Sequence, residues 1–339
     1  MDHSVWSVPA REPAAIAHGG DLGGLRKAYP DAPEPWLDLS TGINPVPYPV
    51  PPVEASAWLR LPEASEVHGL REAAASAYGA PGPAHVVPAP GTQILIETLP
   101  RLVAPARVAV LGPTYAEHAA AWSRAGHAVV ESHDPGALAD AQVAVIVDPN
   151  NPDGRTLPLS ERLALARAMR DRGGLLVADE AFADLEPVES LCPHAMPGLV
   201  VLRSFGKTYG LAGLRLGFAV ADPGTAERIA GALGPWAVSG PALAIGRAAL
   251  SDRAWRAAAA RDRGEDAARL DRMILRGGGR NVGGTCLFRT ADFPDGPDLY
   301  RRLAEAGIAV RRFAERQERL RFGLPAGKDA WCRLSRVLK

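Results

Sequence analysis

Cysteine is scarce in this sequence of 339 residues, which contains only three. They lie far apart and form no C-x-x-C pair, which argues against a disulfide framework or a structural zinc site and fits a reducing cytoplasm. The eight histidines include no H-E-x-x-H motif and no paired spacing. A bound metal therefore has little support in the sequence.

An excess of charge of one sign and a long apolar run are also missing. Lys+Arg and Asp+Glu both number 38, so no overall field would attract nucleic acid or an anionic membrane. No apolar run reaches the roughly 18 residues of a membrane span, and the first 20 residues lack the features of a signal peptide. We therefore expect a cytoplasmic protein whose partners include neither nucleic acid nor a membrane.

Short apolar runs alternate with helical patterns through the central part of the chain. Each run is rich in Leu or β-branched residues and apolar on both faces, as in the buried strands of a mainly parallel sheet. The runs lie at 85–89, 107–112, 143–148, 174–179, 199–204 and 215–220. The clearest helix is expected at 160–174, with Ser160 as its N-cap and Gly173 at its end. This alternation predicts an α/β layered domain.

The flanking segments differ from this pattern. Residues 30–62 are rich in proline and are expected to form an arm and linker rather than regular structure. The tail offers strand candidates at 285–290, 308–313 and 319–323 around a helix at 297–306. We predict an N-terminal arm at 1–45 that joins the small domain, a large domain at 46–235 and a small α+β domain at 236–339.

Lysine is rare as well, since only four of the 38 basic residues are lysines. One of them, Lys207, lies in the segment VLRSFGKTYGLAGLRLGF at 201–218. Arginine could serve equally well as a surface charge there. It could not replace an amine that must lose its proton and form a covalent bond. The segment is not a phosphate-binding P-loop, because position 201, where the first glycine of that motif belongs, is Val201.

Polar residues follow four of the predicted strands. The strand at 107–112 ends in GPTY, and the strand at 143–148 ends in DPNNPDG. The strand at 174–179 ends in DEAF, and the strand at 199–204 ends in SFGK. The carboxyl ends of parallel strands meet at one edge of a sheet, where ligands bind. Gly91, Thr92 and Gln93 begin a predicted helix whose free N–H groups suit a phosphate. These residues together predict a site for a planar, phosphorylated ring that forms a Schiff base with an amine.

The motifs GTQ, PTY, DPNNPDG, ADEAF and SFGKTYGLAGLRLG resemble, in order and spacing, those of fold-type I pyridoxal-phosphate (PLP) enzymes. The most similar group is the histidinol-phosphate aminotransferase subgroup of the class I and II aminotransferases, and the resemblance covers most of the chain. It implies a large domain with a mainly parallel central sheet, a small α+β domain, pyridoxal 5'-phosphate as cofactor, and a homodimer with sites at the subunit interface.

The resemblance also assigns roles to single residues. Lys207 would form the Schiff base with the cofactor aldehyde and later move protons, and Asp179 would pair with the pyridinium nitrogen. Tyr115 would stack on the ring, and Asn151 would bond its phenolic oxygen. The phosphate would be held by Gly91, Thr92, Gln93, Ser204 and Arg215.

Two positions depart from the pattern of this family. Phe182 stands where many relatives have a tyrosine that bonds the phenolic oxygen of the cofactor. Leu61 stands where relatives often have a tyrosine that reaches the cofactor of the partner subunit. Tyr48 is a conceivable substitute for that interface tyrosine.

A phosphorylated amino-acid substrate would need two anion sites. Arg321 matches the family's arginine that clasps the substrate carboxylate as a bidentate fork. For the substrate phosphate the candidates are His18, Asn44 and Arg311, and the sequence leaves open whether Arg311 or Arg312 faces the substrate.

The segments HGGD at 18–21 and LDLSTGINP at 37–45 resemble the opening of L-threonine-O-3-phosphate decarboxylases of cobalamin biosynthesis. Those enzymes release CO2 and form (R)-1-amino-2-propanol phosphate. An aminotransferase of the histidinol-phosphate type is the alternative, and a non-catalytic binding protein is a third class. The choice between the first two depends on which Cα bond stands perpendicular to the cofactor ring, a torsion that the sequence leaves open.

Overall fold

A computed structural model describes residues 18–339 of the chain. The strands are β1 Leu37–Leu39, β2 Val86–Ala89, β3 Arg107–Leu111, β4 Ala128–Ser132, β5 Val143–Val147, β6 Leu175–Asp179, β7 Leu199–Ser204, β8 Gly217–Ala221, β9 Arg280–Thr285, β10 Phe288–Asp292, β11 Ile308–Phe313 and β12 Arg316–Gly323. The helices are α1 Leu22–Ala28, α2 Ala55–Leu59, α3 Ala64–Tyr78, α4 Thr92–Thr98, α5 Glu117–Arg124, α6 Leu159–Asp171, α7 Phe205–Thr208, α8 Pro223–Leu233, α9 Gly240–Ser251, α10 Arg253–Arg276, α11 Gly296–Glu305 and α12 Gly327–Val337.

The larger sheet has seven strands in the order β2-β8-β7-β6-β5-β3-β4. Strand β8 runs antiparallel to both of its neighbours, and the other pairings are parallel. Alternate residues of one strand enter different cores: Val143 and Val145 pack in one cluster, and Ala144 and Ile146 pack in another. Burial on both faces explains why the central strands are apolar throughout. The predicted α/β fold with a mainly parallel central sheet is confirmed.

One strand of this sheet was not expected from the sequence. Strand β4 lies at the edge of the sheet and is largely exposed, with Val130 63% accessible. Because β4 is not buried on both faces, its sequence AVVES lacks the continuous apolar run that marks the central strands.

The smaller sheet has the order β1-β11-β12-β10-β9. Strand β1 comes from the proline-rich arm and pairs in parallel with β11, Leu37 opposite Ile308. The strand predicted at 285–290 is wrong in extent, because a turn at Cys286 and Leu287 divides the segment between β9 and β10. The predicted arm at 1–45 also includes residues 1–17, which lie outside the described residues.

The helices differ from expectation in two places. Helix α6 begins at Leu159 with Pro158 as its N-cap, so the prediction of Ser160 as the cap is wrong. Helix α9 lies beyond the predicted domain boundary at 235, yet it supplies Leu243 and Leu250 to a core of the larger sheet. The long helix α10 then leads to the smaller sheet, where Leu270 and Ile274 are buried. Among the described residues, no helix is long and apolar enough to cross a membrane.

A close backbone contact joins the two sheets beside the loop that follows β5. A Cβ atom on Gly154, whose φ is +71°, would lie 2.0 Å from the carbonyl oxygen of Gly284, and one on Gly283 would lie 2.0 Å from that of Asp153. Only glycine allows so close an approach. The Thr290 hydroxyl donates a hydrogen bond of 2.5 Å to the Pro152 carbonyl at the same junction. The loop that carries Asn151 is therefore held against the smaller sheet.

Candidate active site

A cavity of about 220 Å³ opens at the carboxyl ends of β5, β6 and β7, beside the start of α4. Every residue predicted to hold the cofactor lines this cavity: Gly91, Thr92, Gln93, Tyr115, Asn151, Asp179, Ser204, Lys207 and Arg215. Their individual roles stay predictions. No group of three or more His, Cys, Asp or Glu side chains within residues 18–339 is arranged to hold a metal ion.

Lys207 belongs to the single-turn helix α7 that follows β7. Burial and, to a lesser degree, the charge of Arg321 lower the pKa of its amine from the ordinary 10.5 to about 8, while Asp179 opposes the change. The Nζ atom lies 4.7 Å from the centre of the Phe182 ring. A lysine amine with this pKa has a sizeable neutral fraction close to neutral pH. It can therefore act as a nucleophile.

Asp179 is the last residue of β6 and is buried. Its Oδ1 atom accepts a hydrogen bond of 3.0 Å from the amide of Ala181, and its Oδ2 atom lies 2.8 Å from Nε2 of His118. The backbone carbonyl of Asp179 accepts the amide of Asp148, 2.9 Å away. The carboxylate is thus fixed in one orientation, as a partner for a ring nitrogen requires.

The Tyr115 hydroxyl donates a hydrogen bond of 3.0 Å to Oε1 of Gln93. Burial raises its pKa to about 12, with the charges of Glu117 and Asp179 adding to the effect. The hydroxyl is therefore protonated at neutral pH. Tyr115 presents an aromatic ring to the cavity, and its hydroxyl is held by Gln93.

One end of the cavity is suited to a phosphate. A Cβ atom on Gly91 would lie 2.7 Å from Nη2 of Arg215, and one on Gly217 would lie 2.7 Å from the amide nitrogen of Thr92. The glycines therefore leave room for the Arg215 guanidinium and the Thr92 backbone N–H group, and both residues line the same cavity. Ser204 lines the cavity as well. This donor set matches what a bound phosphate needs.

Arg321, on β12, connects the smaller sheet to the cavity. Its Nη1 donates to Oδ1 of Asn151, and its Nη2 donates to the Ser40 carbonyl at 2.8 Å. The buried Nε has no hydrogen-bond partner among the described residues. The guanidinium carbon lies 5.0 Å from the centre of the Phe288 ring. Burial lowers the pKa of Arg321 to about 10, and the charge of Arg311 contributes.

Arg311 lies directly opposite Arg321 in the antiparallel pair of β11 and β12. Residues that are opposite in such a pair project to the same face of the sheet. The next residue, Arg312, packs instead over the ring of Tyr300, 4.8 Å from its centre. Of the two candidates that the sequence left open, Arg311 therefore shares a face with Arg321.

The comparisons with known proteins agree with this geometry. The sequence model of the family "Aminotransferase class I and II" matches residues 54–333. The chain belongs to this family. The family predicted from the motifs is thus confirmed. Two relatives are named threonine-phosphate decarboxylase: one from Sinorhizobium sp is 47% identical, over 92% of this chain and 94% of its own length. The other, from Pseudomonas aeruginosa, is 42% identical, over 95% of this chain and 97% of its own length.

A solved structure supports the fold of this aminotransferase-family chain. Histidinol-phosphate aminotransferase from Sinorhizobium meliloti, solved in complex with pyridoxal-5'-phosphate, superposes with a TM-score of 0.78. The match covers 98% of this chain and 97% of the other, at 23% sequence identity. At this identity the similarity establishes the fold alone.

Two predicted residues of this family member have other contacts in the structure. The side-chain amide of Asn44 is buried. Its Nδ2 donates a hydrogen bond of 2.9 Å to the Thr208 carbonyl, and its Oδ1 accepts one of 3.0 Å from the backbone amide of Val46. Asn44 does not line the cavity, and neither does Arg311 or Arg321, so its predicted part in binding a substrate phosphate stays a prediction. Tyr48 packs edge-on against Tyr209, with ring centres 6.0 Å apart. Its suggested role at a subunit interface stays a prediction.

His18 lies beside Tyr115 and does not line the cavity. Its Nε2 atom is 2.8 Å from Oε1 of Glu117, and its ring centre is 6.2 Å from that of Tyr115. The side chain remains 48% exposed. Its predicted contact with the substrate phosphate stays a prediction.

The sequence did not single out His118, which lies beside Asp179. The side chain is buried, and its ring centre is 6.1 Å from that of Tyr115. Its position three residues after Tyr115, in the first turn of α5, was the available signal. This position alone does not indicate a functional role, because a single histidine in a helix has no distinctive spacing.

The lowered pKa of Lys207 can be tested by acetylation of the apoprotein across a pH series. We expect the reaction at Lys207 to reach half its maximum rate near pH 8, because burial and Arg321 disfavour the charged amine. Mass spectrometry can follow Lys207 separately, with the peptides of Lys27, Lys328 and Lys339 as internal references. A half-maximum near pH 10.5 would show that the Lys207 amine has an ordinary pKa, and would contradict the burial of this amine in the cavity.

Proposed function

We propose that this protein is a PLP-dependent enzyme that decarboxylates L-threonine O-3-phosphate to (R)-1-amino-2-propanol O-2-phosphate. The proposal rests on the site geometry and on two relatives, 42% and 47% identical over more than nine-tenths of the chain, which carry the name threonine-phosphate decarboxylase. Cobalamin biosynthesis and location in the cytoplasm are part of the prediction made from the sequence.

The residues around the cavity fit the cofactor. Lys207 would hold it covalently, Asp179 would face its ring nitrogen, and Tyr115 would lie against its ring. When bound, PLP supplies an electron-withdrawing ring that stabilises the charge left on Cα when a bond to that carbon breaks. The Phe182 ring near Lys207 offers no hydroxyl to the site, so Asn151 is the side chain proposed to contact the phenolic oxygen.

The observation that carries the substrate assignment is the pairing of Arg311 with Arg321. Two guanidinium groups on one face of a sheet repel each other, and like charges directly opposite are destabilising. No carboxylate of the described residues accepts a hydrogen bond from Arg321. A substrate with two anionic ends would relieve this repulsion. We assign its carboxylate to Arg321 and its phosphate to Arg311.

The reaction breaks the bond between Cα and the carboxylate, releases CO2 and adds one proton to Cα. The Lys207 amine, with a pKa of about 8, is suited to deliver that proton because it exchanges readily near neutral pH. The backbone amide of Asn44 donates a hydrogen bond of 2.9 Å to the Lys207 carbonyl and so helps to hold the backbone of α7. Decarboxylation further requires that the substrate be oriented with its carboxylate perpendicular to the cofactor ring. Arg311 and Arg321 would fix that orientation from the smaller sheet.

The test is product analysis after the holoenzyme has reacted with L-threonine O-3-phosphate. We expect stoichiometric CO2 and aminopropanol phosphate. We also expect Arg311→Met to lower kcat/KM by about 10- to 100-fold, since it removes a charged hydrogen-bond donor. Arg312→Met is the matched control, because Arg312 packs over Tyr300, and should stay within about threefold of the native value.

A keto acid as the main product, with conversion of the cofactor to its pyridoxamine form, would overturn this assignment in favour of an aminotransferase. Equal losses in the Arg311→Met and Arg312→Met variants would overturn the assignment of the phosphate to Arg311.

We further propose that the enzyme is a homodimer. Large apolar side chains near the start of α9 are exposed, with Trp58 at 68%, Leu59 at 82%, Leu61 at 63% and Trp236 at 58%. Helix α2 packs tightly there, since a Cβ atom on Gly240 would lie 2.3 Å from the Ala57 carbonyl oxygen. Large apolar side chains that are exposed on neighbouring segments mark an interaction site.

Sedimentation of the holoenzyme tests the dimer. We expect a mass of twice 35.7 kDa and a shift toward monomer in Leu59→Asp. Val130→Asp is the matched control, because Val130 is exposed on the edge strand β4. A native monomer, or an equal shift in both variants, would contradict the proposed interface.

A further inference from the structure

Five charged side chains lie buried close in sequence to residues of the cavity or paired with such neighbours, and the proposed function gives none of them a role. This buried ion network consists of Asp148, Arg162, Glu180, Asp184 and Arg203, whose side chains are at most 5% accessible. None of the five lines the cavity. Two positive and three negative groups are thus removed from water together.

Glu180 is the centre of the buried ion network, because it pairs with both Arg203 and Arg162. Arg203 joins Glu180 to Asp184. Its Nη1 donates to Oε2 of Glu180 at 2.6 Å, and its Nη2 donates to Asp184. Arg162 completes the set, with its Nη1 atom 3.5 Å from Oε1 of Glu180 and 3.7 Å from Oδ1 of Asp148. Replacing buried ion pairs by apolar side chains is often neutral or stabilising. Stability alone therefore does not account for five buried charges.

The members of the buried ion network adjoin residues of the cavity in sequence. Glu180 follows Asp179, and Arg203 precedes Ser204. Asp184 reaches the next helix, because its Oδ2 accepts a hydrogen bond of 2.7 Å from the hydroxyl of Thr208, the neighbour of Lys207. The network thereby connects the carboxyl ends of β6 and β7 with α7.

Asp148 extends the same connection to β5. Its backbone amide donates to the Asp179 carbonyl at 2.9 Å, and its Oδ2 accepts the amide of Leu157 at 2.7 Å. The loop between Asp148 and Leu157 carries Asn151. The loop and the two strand ends are therefore fixed to a common set of charges.

Helix α7 needs such support because it is only four residues long. A single turn is unstable alone, since few backbone hydrogen bonds offset the ordering of its residues. We propose that the buried ion network positions Lys207 against Asp179, and that Thr208 transmits this positioning through its hydrogen bond to Asp184. This inference rests on the proposed function for the role of Lys207. Thr208 and Asp184 are positioning residues in this account.

The test compares Thr208→Val with Thr208→Ser. Valine keeps the shape of the buried side chain but loses the hydroxyl, whereas serine keeps the hydroxyl. We expect kcat for Thr208→Val to fall by about 10- to 100-fold with KM changed by less than about threefold, because a small misplacement of a reacting group costs this much. Thr208→Ser should restore kcat to within about threefold of the native value.

A second readout uses the apoprotein and no substrate. In Thr208→Val, the pKa of Lys207 obtained by acetylation should rise from about 8 toward 10.5, because the displaced amine is less buried and farther from Arg321. In Thr208→Ser it should stay near the native value. This readout does not depend on the reaction that the enzyme catalyses. If the native protein had no decarboxylase activity, the proposed function would be wrong, but the pKa of Lys207 in the two variants would still test the positioning.

The proposal is overturned if Thr208→Val retains the native kcat and the native pKa of Lys207, whatever its melting temperature. It is also overturned if valine and serine cause equal changes. Should Thr208→Val fail to fold, Asp184→Asn serves the same purpose, because it keeps the side chain's size and weakens its pairing with Arg203. The same rise in the pKa of Lys207 is expected, and an unchanged pKa would reject the proposal.

Discussion

The site depends on the unfavourable burial of a positive charge at Lys207. Burial and the charge of Arg321 lower the pKa of its amine to about 8, and Asp179 offsets only part of that effect. The sheet makes this arrangement possible, because Asp179 ends β6 and Lys207 follows the end of the adjacent strand β7. Lys207 and Asp179 are thereby brought to the same cavity without either residue being placed by a long loop.

The two sheets contribute different parts of the proposed site. The larger sheet contributes the residues proposed for the cofactor, and β11 and β12 contribute the paired arginines proposed for the substrate. The hydrogen bond from Arg321 to Asn151 and the contact of Gly154 with Gly284 join the two sets. Because the same junction orders both the loop of Asn151 and Arg321, a shift of one sheet would disturb both.

Much of this architecture could be predicted from the sequence, because the central strands are buried on both faces and the cavity residues follow their ends. The edge strand β4 escaped prediction since its residues are largely exposed. The choice between Arg311 and Arg312 needed the register of β11 against β12, which the sequence does not encode visibly. His118 and the buried ion network were missed because tertiary contacts, not spacing along the chain, bring their members together.

The most direct test of the central claim is peptide mapping after the protein is incubated with PLP and reduced with borohydride. We expect the cofactor label on the peptide containing Lys207, and no label on the Lys207→Arg protein. The other lysines, Lys27, Lys328 and Lys339, provide the comparison within the same digest. A label on any of those three instead, or a PLP-binding protein with Lys207 unlabelled, would contradict the account.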